Sequence, residues 1–135
     1  ITAIRFDQGK ISAQSRFVDT VERQKERQAG KMIYHEFGTA SPNGNTGYKR
    51  SPNIHVIDFG GKLLTSSEAD APVAVDPQDL STLGQWNFHG TLPGSTTFTA
   101  HPKFDPVTGD GYAFGITQAM SPQLKAFRFH KSSGT

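Results

Sequence analysis

Five histidines carry most of the chemistry this sequence can offer: His35, His55, His89, His101 and His130. Imidazole binds metals and moves protons near neutral pH. No pair shows a compact ligand spacing such as HExxH or HxH. Read one by one, each is a structural or surface residue. His55 sits in NIHVI, where alternation can turn it to either face. His89 lies in the loop-like NFHGTLPG, and His130 near the end of the chain. His101 differs in its surroundings. In FTAHPKFDPVTGDGYAFG it stands at a strand end, where Pro102 holds the residue before it extended, and the DPVTG turn follows. A histidine fixed there can be aimed at a point where several strand ends converge. One imidazole cannot hold Fe²⁺ or Zn²⁺, so further ligands must come from elsewhere. Ligand histidines also need a partner on the second ring nitrogen, usually a carboxylate. SSEADAP offers Glu68 and Asp70 at another strand end. A carboxylate at an apolar centre must be paired or lie near a metal. The plainer reading is that both acids decorate a turn.

The elements that must position these residues are mostly short strands. ITAIRFDQGKISAQSRFV reads as a hairpin turning at DQG, with Ile11 opening the return strand. A helix follows in DTVERQKERQAG, with Asp19 or Thr20 as N-cap, an Asp19–Glu22 capping-box signal, and Gly30 as the stop. It is almost wholly polar after Val21, which makes it a surface excursion with little core role. KMIYHEFGT is a short strand or an extended crossing, and Ala40 to Asn53 is a loop. The pattern then becomes regular. NIHVIDFGGKLLTSSEA turns at Gly-Gly, APVAVDPQDLSTLGQWNF at DPQD, and TTFTAHPKFDPVTGDGYAFG at DPVTGD. QLKAFRFHKSSGT begins one more unit. Hairpins recurring in this way fit a sandwich or a propeller, and this length supplies roughly two four-stranded blades. Two blades cannot close a ring. The chain therefore reads as a piece of a larger fold, a partial propeller domain over residues 1–135. In it Tyr112 and Phe114 belong to blade core.

Composition supports an all-β fold and narrows function. The chain has 14 glycines, 8 prolines and 10 phenylalanines, which are turn and strand-face residues. A net charge of +2, with no basic stripe interleaved with aromatics, argues against nucleic acid. No apolar run is long enough to span a bilayer. The absence of cysteine excludes thiolate catalysis, thiolate-bound metal and a disulfide framework.

Several segments resemble one family. FTAHPKFDPVTGDGYAFG is similar to the AHPKxDPxTG segment of the carotenoid cleavage oxygenases. NIHVIDFGGKLLTSSEADAPVAVDPQDLSTLGQWNFHG resembles the GGKLLA…E…P…DP stretch that precedes it there. SRFVDTVERQKERQAGK is similar to the early RFVRT segment, with Asp19 where an arginine is common. Each motif is weak alone, but three in the expected order form a specific signal.

The resemblance implies a seven-bladed β-propeller with an axial non-haem Fe²⁺, held by four histidines from different blades. His101 takes the place of the first ligand. Glu68 takes the place of a glutamate that orients a later ligand histidine. The remaining ligands are expected beyond this segment, since His35, His55, His89 and His130 match none of their motifs. The implied reaction is cleavage of a conjugated carbon–carbon double bond by O₂ into two carbonyl products. The substrate is a hydrophobic small molecule: a carotenoid, an apocarotenoid or a stilbene-like phenylpropanoid. The implied location is cytoplasmic or at the membrane periphery, with any membrane contact outside this segment. The segment alone is expected to be inactive. The alternative is a non-enzymatic propeller or sandwich piece acting as a binding or structural module.

Overall fold

Turn chemistry divides the chain into hairpins, and the computed structural model shows them over residues 1–36, 38–42, 44, 47–68, 70–94, 96–117 and 120–130. Strands β1 (Thr2–Asp7) and β2 (Lys10–Ser15) pair antiparallel across Gln8-Gly9, so the return strand opens at Lys10, one residue before Ile11. Ile4 lies opposite Ala13 and Phe6 opposite Ile11, which places these four residues on one face. That face is exposed. The other face reaches the rest of the molecule: Arg5 donates to the carbonyls of Pro77 and Gln78, and Gln14 to that of Asp79.

Helix α1 (Val21–Ala29) starts at Thr20, whose hydroxyl accepts from the Arg23 amide, and stops at Gly30 in the left-handed region. Because Thr20 is the cap, Arg23 occupies the capping-box position, and the Asp19–Glu22 pairing expected from the sequence does not form. Glu22 is buried and accepts instead from Arg50, at 3.0 Å from Nε and 2.7 Å from Nη2. Arg50 also lies 3.4 Å from the Asp70 carboxylate. The helix is therefore tied to the body by charge while it stays on the surface, with none of its apolar side chains in the core, as its polar sequence predicts. Residues 31–53 form neither helix nor named strand among the described residues, with isolated bridges His35–Tyr48 and Glu36–Thr39. Asn43, Asn45 and Thr46 of the expected loop lie outside the described residues, as do residues 131–135 of the final segment.

The centre is an antiparallel meander of β3 (His55–Phe59), β4 (Lys62–Ser66), β5 (Val73–Val75) and β6 (Thr82–Gln85), in that order. Gly60 and Gly61 carry the β3–β4 turn with φ of 57° and 75°, a conformation that favours glycine at both positions. A second sheet holds β7 (Lys103–Phe104), β8 (Gly111–Ile116) and β9 (Leu124–Phe129). QLKAFRF thus adds to the existing sheet as β9 and does not open a new unit. The two Asp-Pro turns share one device. Asp76 Oδ1 accepts from the Gln78 amide, and Asp105 Oδ1 from the Val107 amide, at 2.7 and 2.8 Å.

Between the sheets lies a phenylalanine cluster. Phe59, Phe88, Phe98 and Phe129 are buried, and their ring centroids stand 5.1–5.8 Å apart in tilted and edge-on pairs. Strand β8 turns Gly111, Ala113 and Gly115 inward and Tyr112, Phe114 and Ile116 outward. Tyr112 and Phe114 are therefore exposed among the described residues, on the face that the sequence reading gave to blade core. The Phe129 and Phe127 rings fill the space on the inner face, where only small residues fit against them.

Candidate functional site

His101 owes its position to a break in strand pairing. The extended segment before it runs along β8: Thr97 N donates to Ile116 O at 3.1 Å and Thr99 N to Phe114 O at 2.8 Å. Pairing resumes at Lys103, opposite Tyr112. Four residues thus advance from Thr99 to Lys103 while β8 advances two, from Phe114 to Tyr112. The two extra residues bulge out, and His101 sits within the bulge. Gly115 permits the approach, since a Cβ there would stand 1.8 Å from the Thr97 carbonyl oxygen. The sequence placed His101 at a strand end. The structure places it at an interruption between two stretches paired to the same strand.

Glu68 arrives from the end of β4, and its Oε1 lies 3.7 Å from His101 Nε2. Thr99 links the pair. Its hydroxyl accepts from the His101 amide at 3.1 Å and lies 3.4 Å from Glu68 Oε1. Both side chains stay accessible, at 61% exposure for His101 and 46% for Glu68. Asp70, the other acid of SSEADAP, turns away towards Arg50, Gln85 and the Ala71 amide. Burial pushes its carboxyl up, against the opposing pull of the Ala71 amide and Arg50.

One residue that sequence reasoning set aside stands beside His101. The His55 and His101 rings stack with centroids 6.0 Å apart and planes 28° from parallel. His55 Nδ1 lies 2.9 Å from the Ala100 carbonyl oxygen. No spacing rule connects positions 55 and 101, and alternation left the face of His55 open. Only the packing of β3 against the 96–101 segment joins them. The other histidines have structural partners. His35 Nδ1 accepts from the Ser41 amide, His89 packs edge-on against Trp86, and His130 bonds the Asp110 carboxylate at 2.9 Å.

The donor set fits a share of a metal site. It offers one accessible imidazole with a carboxylate at its outer nitrogen. Among the described residues no three His, Cys, Asp or Glu side chains cluster as a metal site, so a complete ligand set needs donors from outside them.

The sequence profile of the retinal pigment epithelial membrane protein family matches residues 1–135. The chain belongs to this family of carotenoid-, apocarotenoid- and stilbene-cleaving oxygenases. It is 40% identical over 116 residues to resveratrol cleavage oxygenase 1 of Aspergillus fumigatus, covering 85% of this chain and 23% of that protein. Among solved structures, Pseudomonas brassicacearum lignostilbene dioxygenase is similar with a TM-score of 0.80 and 32% identity, over 98% of this chain and 28% of that one. Cobalt-substituted apocarotenoid oxygenase of Synechocystis is similar with a TM-score of 0.85 and 28% identity, over 98% of this chain and 30% of that one. The chain thus spans less than a third of each of these oxygenases. Its fold is mostly β with one short helix, is related to theirs, and covers part of it. No helix among the described residues is long and apolar enough to cross a membrane.

Proposed function

We propose that this chain is part of a non-haem Fe²⁺ oxygenase that cleaves a conjugated carbon–carbon double bond with O₂, giving two carbonyl products. In this reading the two larger sheets are blades of a seven-bladed propeller and His101 is one of four histidine ligands. Glu68 orients a ligand histidine supplied by a later part of the protein. The observation that carries the reading is the meeting of His101 and Glu68 at 3.7 Å, from sequence positions 33 apart. The bulge carries His101, the end of β4 carries Glu68, and Thr99 bonds to both, which supports a held pair of the kind that a ligand set needs. When bound, Fe²⁺ supplies the redox chemistry with O₂ that this reaction needs.

The chain's own residues have positioning tasks. His101 presents one imidazole nitrogen. Glu68 supplies a carboxylate that accepts an N–H and fixes a ring, as such partners do around metal-bound histidines. Resveratrol and lignostilbene, in the names of two relatives, are stilbenes, and the third relative takes apocarotenoids. The proposed substrate is accordingly a hydrophobic conjugated alkene of the stilbene, apocarotenoid or carotenoid class. Its reacting bond is selected by how it is held.

The test uses the full-length protein. Wild type is expected to hold about one iron per chain and to cleave at least one alkene of such a panel. His101→Ala is expected to lose the iron while keeping its fold by circular dichroism. Iron retained by a folded His101→Ala protein would overturn the assignment. Iron absent from the wild type would favour the non-enzymatic module.

A further inference from the structure

His101 sits in a segment with no ladder of its own. Between Thr99 and Lys103 the backbone leaves β8, and its polar groups must find other partners. The Ala100 carbonyl, immediately before His101, receives His55 Nδ1 at 2.9 Å. The buried Ser66 hydroxyl lies 3.4 Å from the same oxygen. His55 and Ser66 are cross-strand partners at the open end of the β3–β4 hairpin. One rung of the central sheet therefore grips the peptide that carries His101.

We propose that His55 is a positioning residue for His101: its Nδ1–H holds the Ala100 carbonyl and its ring backs the His101 imidazole, so that the bulge presents His101 to the metal in one orientation. The inference rests on the reading of His101 as a ligand. A carbonyl oxygen only accepts, so Nδ1 of His55 carries the proton. In the neutral ring this leaves the lone pair on Nε2. The stacked ring limits the rotation of a side chain that is otherwise 61% exposed. A ligand held in fewer rotamers loses less freedom when it binds. Partners one step removed from a metal typically affect its affinity by 10–100-fold.

Two substitutions separate the roles within the full-length protein. His55→Asn removes the ring but keeps an N–H at the same distance from Cβ as Nδ1. His55→Phe keeps a ring and removes the donor. Fe²⁺ affinity is read by chelator competition, site geometry by the EPR line shape of the nitric oxide adduct, and folding by the thermal midpoint. His55→Phe is expected to weaken Fe²⁺ binding about tenfold and to broaden the EPR signal, with little change in midpoint. His55→Asn is expected to lose about threefold, less than His55→Phe, because it keeps the donor and loses only the ring. If His55→Phe does not fold, His55→Ala serves as the variant without a donor.

Wild-type affinity and line shape in the donor-less variant, with iron lost from His101→Ala, overturn the positioning role and leave the ligand reading intact. Loss of affinity that tracks the midpoint, or that Asn does not rescue, also overturns it. Iron retained by His101→Ala removes the ligand reading, and the positioning role falls with it.

Discussion

Glu26 shows how single side chains hold the irregular part of this molecule. Its Oε1 accepts from the Ile33 and Tyr34 amides, and its other oxygen lies 2.8 Å from Lys49, which also pairs with Glu36. The Lys49 hydrogen bond, with the Ile33 amide next, holds the Glu26 carboxyl at about 2, below its ordinary 4.5. A carboxylate whose value is depressed on folding stabilises the fold fully above its unfolded value and loses that stabilisation as pH falls. The clasp is therefore intact above pH 4.5 and weakens as pH drops towards 2. Hydrogen exchange at the Ile33 and Tyr34 amides, corrected for intrinsic rates, should lose protection in that window, and Glu26→Gln should remove the pH dependence. Glu68 offers a contrasting test. It is half exposed and bonds only weakly within the chain, so Glu68→Gln in the full-length protein should leave the melting midpoint nearly unchanged. Iron affinity should nonetheless fall by about 10-fold or more, measured by chelator competition.

Among the elements, the bulge between Thr99 and Lys103 depends on Gly115. A methyl group there meets a backbone oxygen at 1.8 Å, which cannot swing aside as a side chain would. Gly115→Ala should destabilise the fold by about 1–3 kcal/mol, seen in chemical denaturation, and should shift the amide signals of Thr97 and Thr99. Helix α1 gives a smaller expectation. Thr20→Ala removes the cap and should cost about 1 kcal/mol by the same measurement. These two residues also mark what the sequence could reveal. Thr20, Gly30, the Gly60-Gly61 turn and the Asp-Pro turns act locally, so their types and spacing place the strands and helix within a residue or so. Glu22 was misread because its partner, Arg50, is distant in sequence. The bulge was invisible because it arises from a register difference between two strands, which neither strand records alone. The closeness of His55 to His101 was missed for the same reason, whereas His101 and Glu68 stood out by their strand-end positions and took their expected roles from the motif resemblance.

The whole molecule carries two apolar faces that are exposed among the described residues. One is the outward side of β8 and β9, with Tyr112, Phe114, Ile116 and Leu124. The other is the hairpin face of Ile4, Phe6 and Ile11. Exposed patches of this kind are sites of association. The segment expressed alone should bind a hydrophobic dye and self-associate in sedimentation experiments, and should hold well under one iron per chain; the full-length protein should do none of these. The β1–β2 hairpin has a further consequence. Its two strands are zipped by continuous backbone pairing, whereas Arg5 and Gln14 fasten it to the body through side chains laid on the carbonyls of residues 77–79. Under mechanical load the hairpin would peel away intact before the central meander yields, like a latch whose tongue is stronger than its catch.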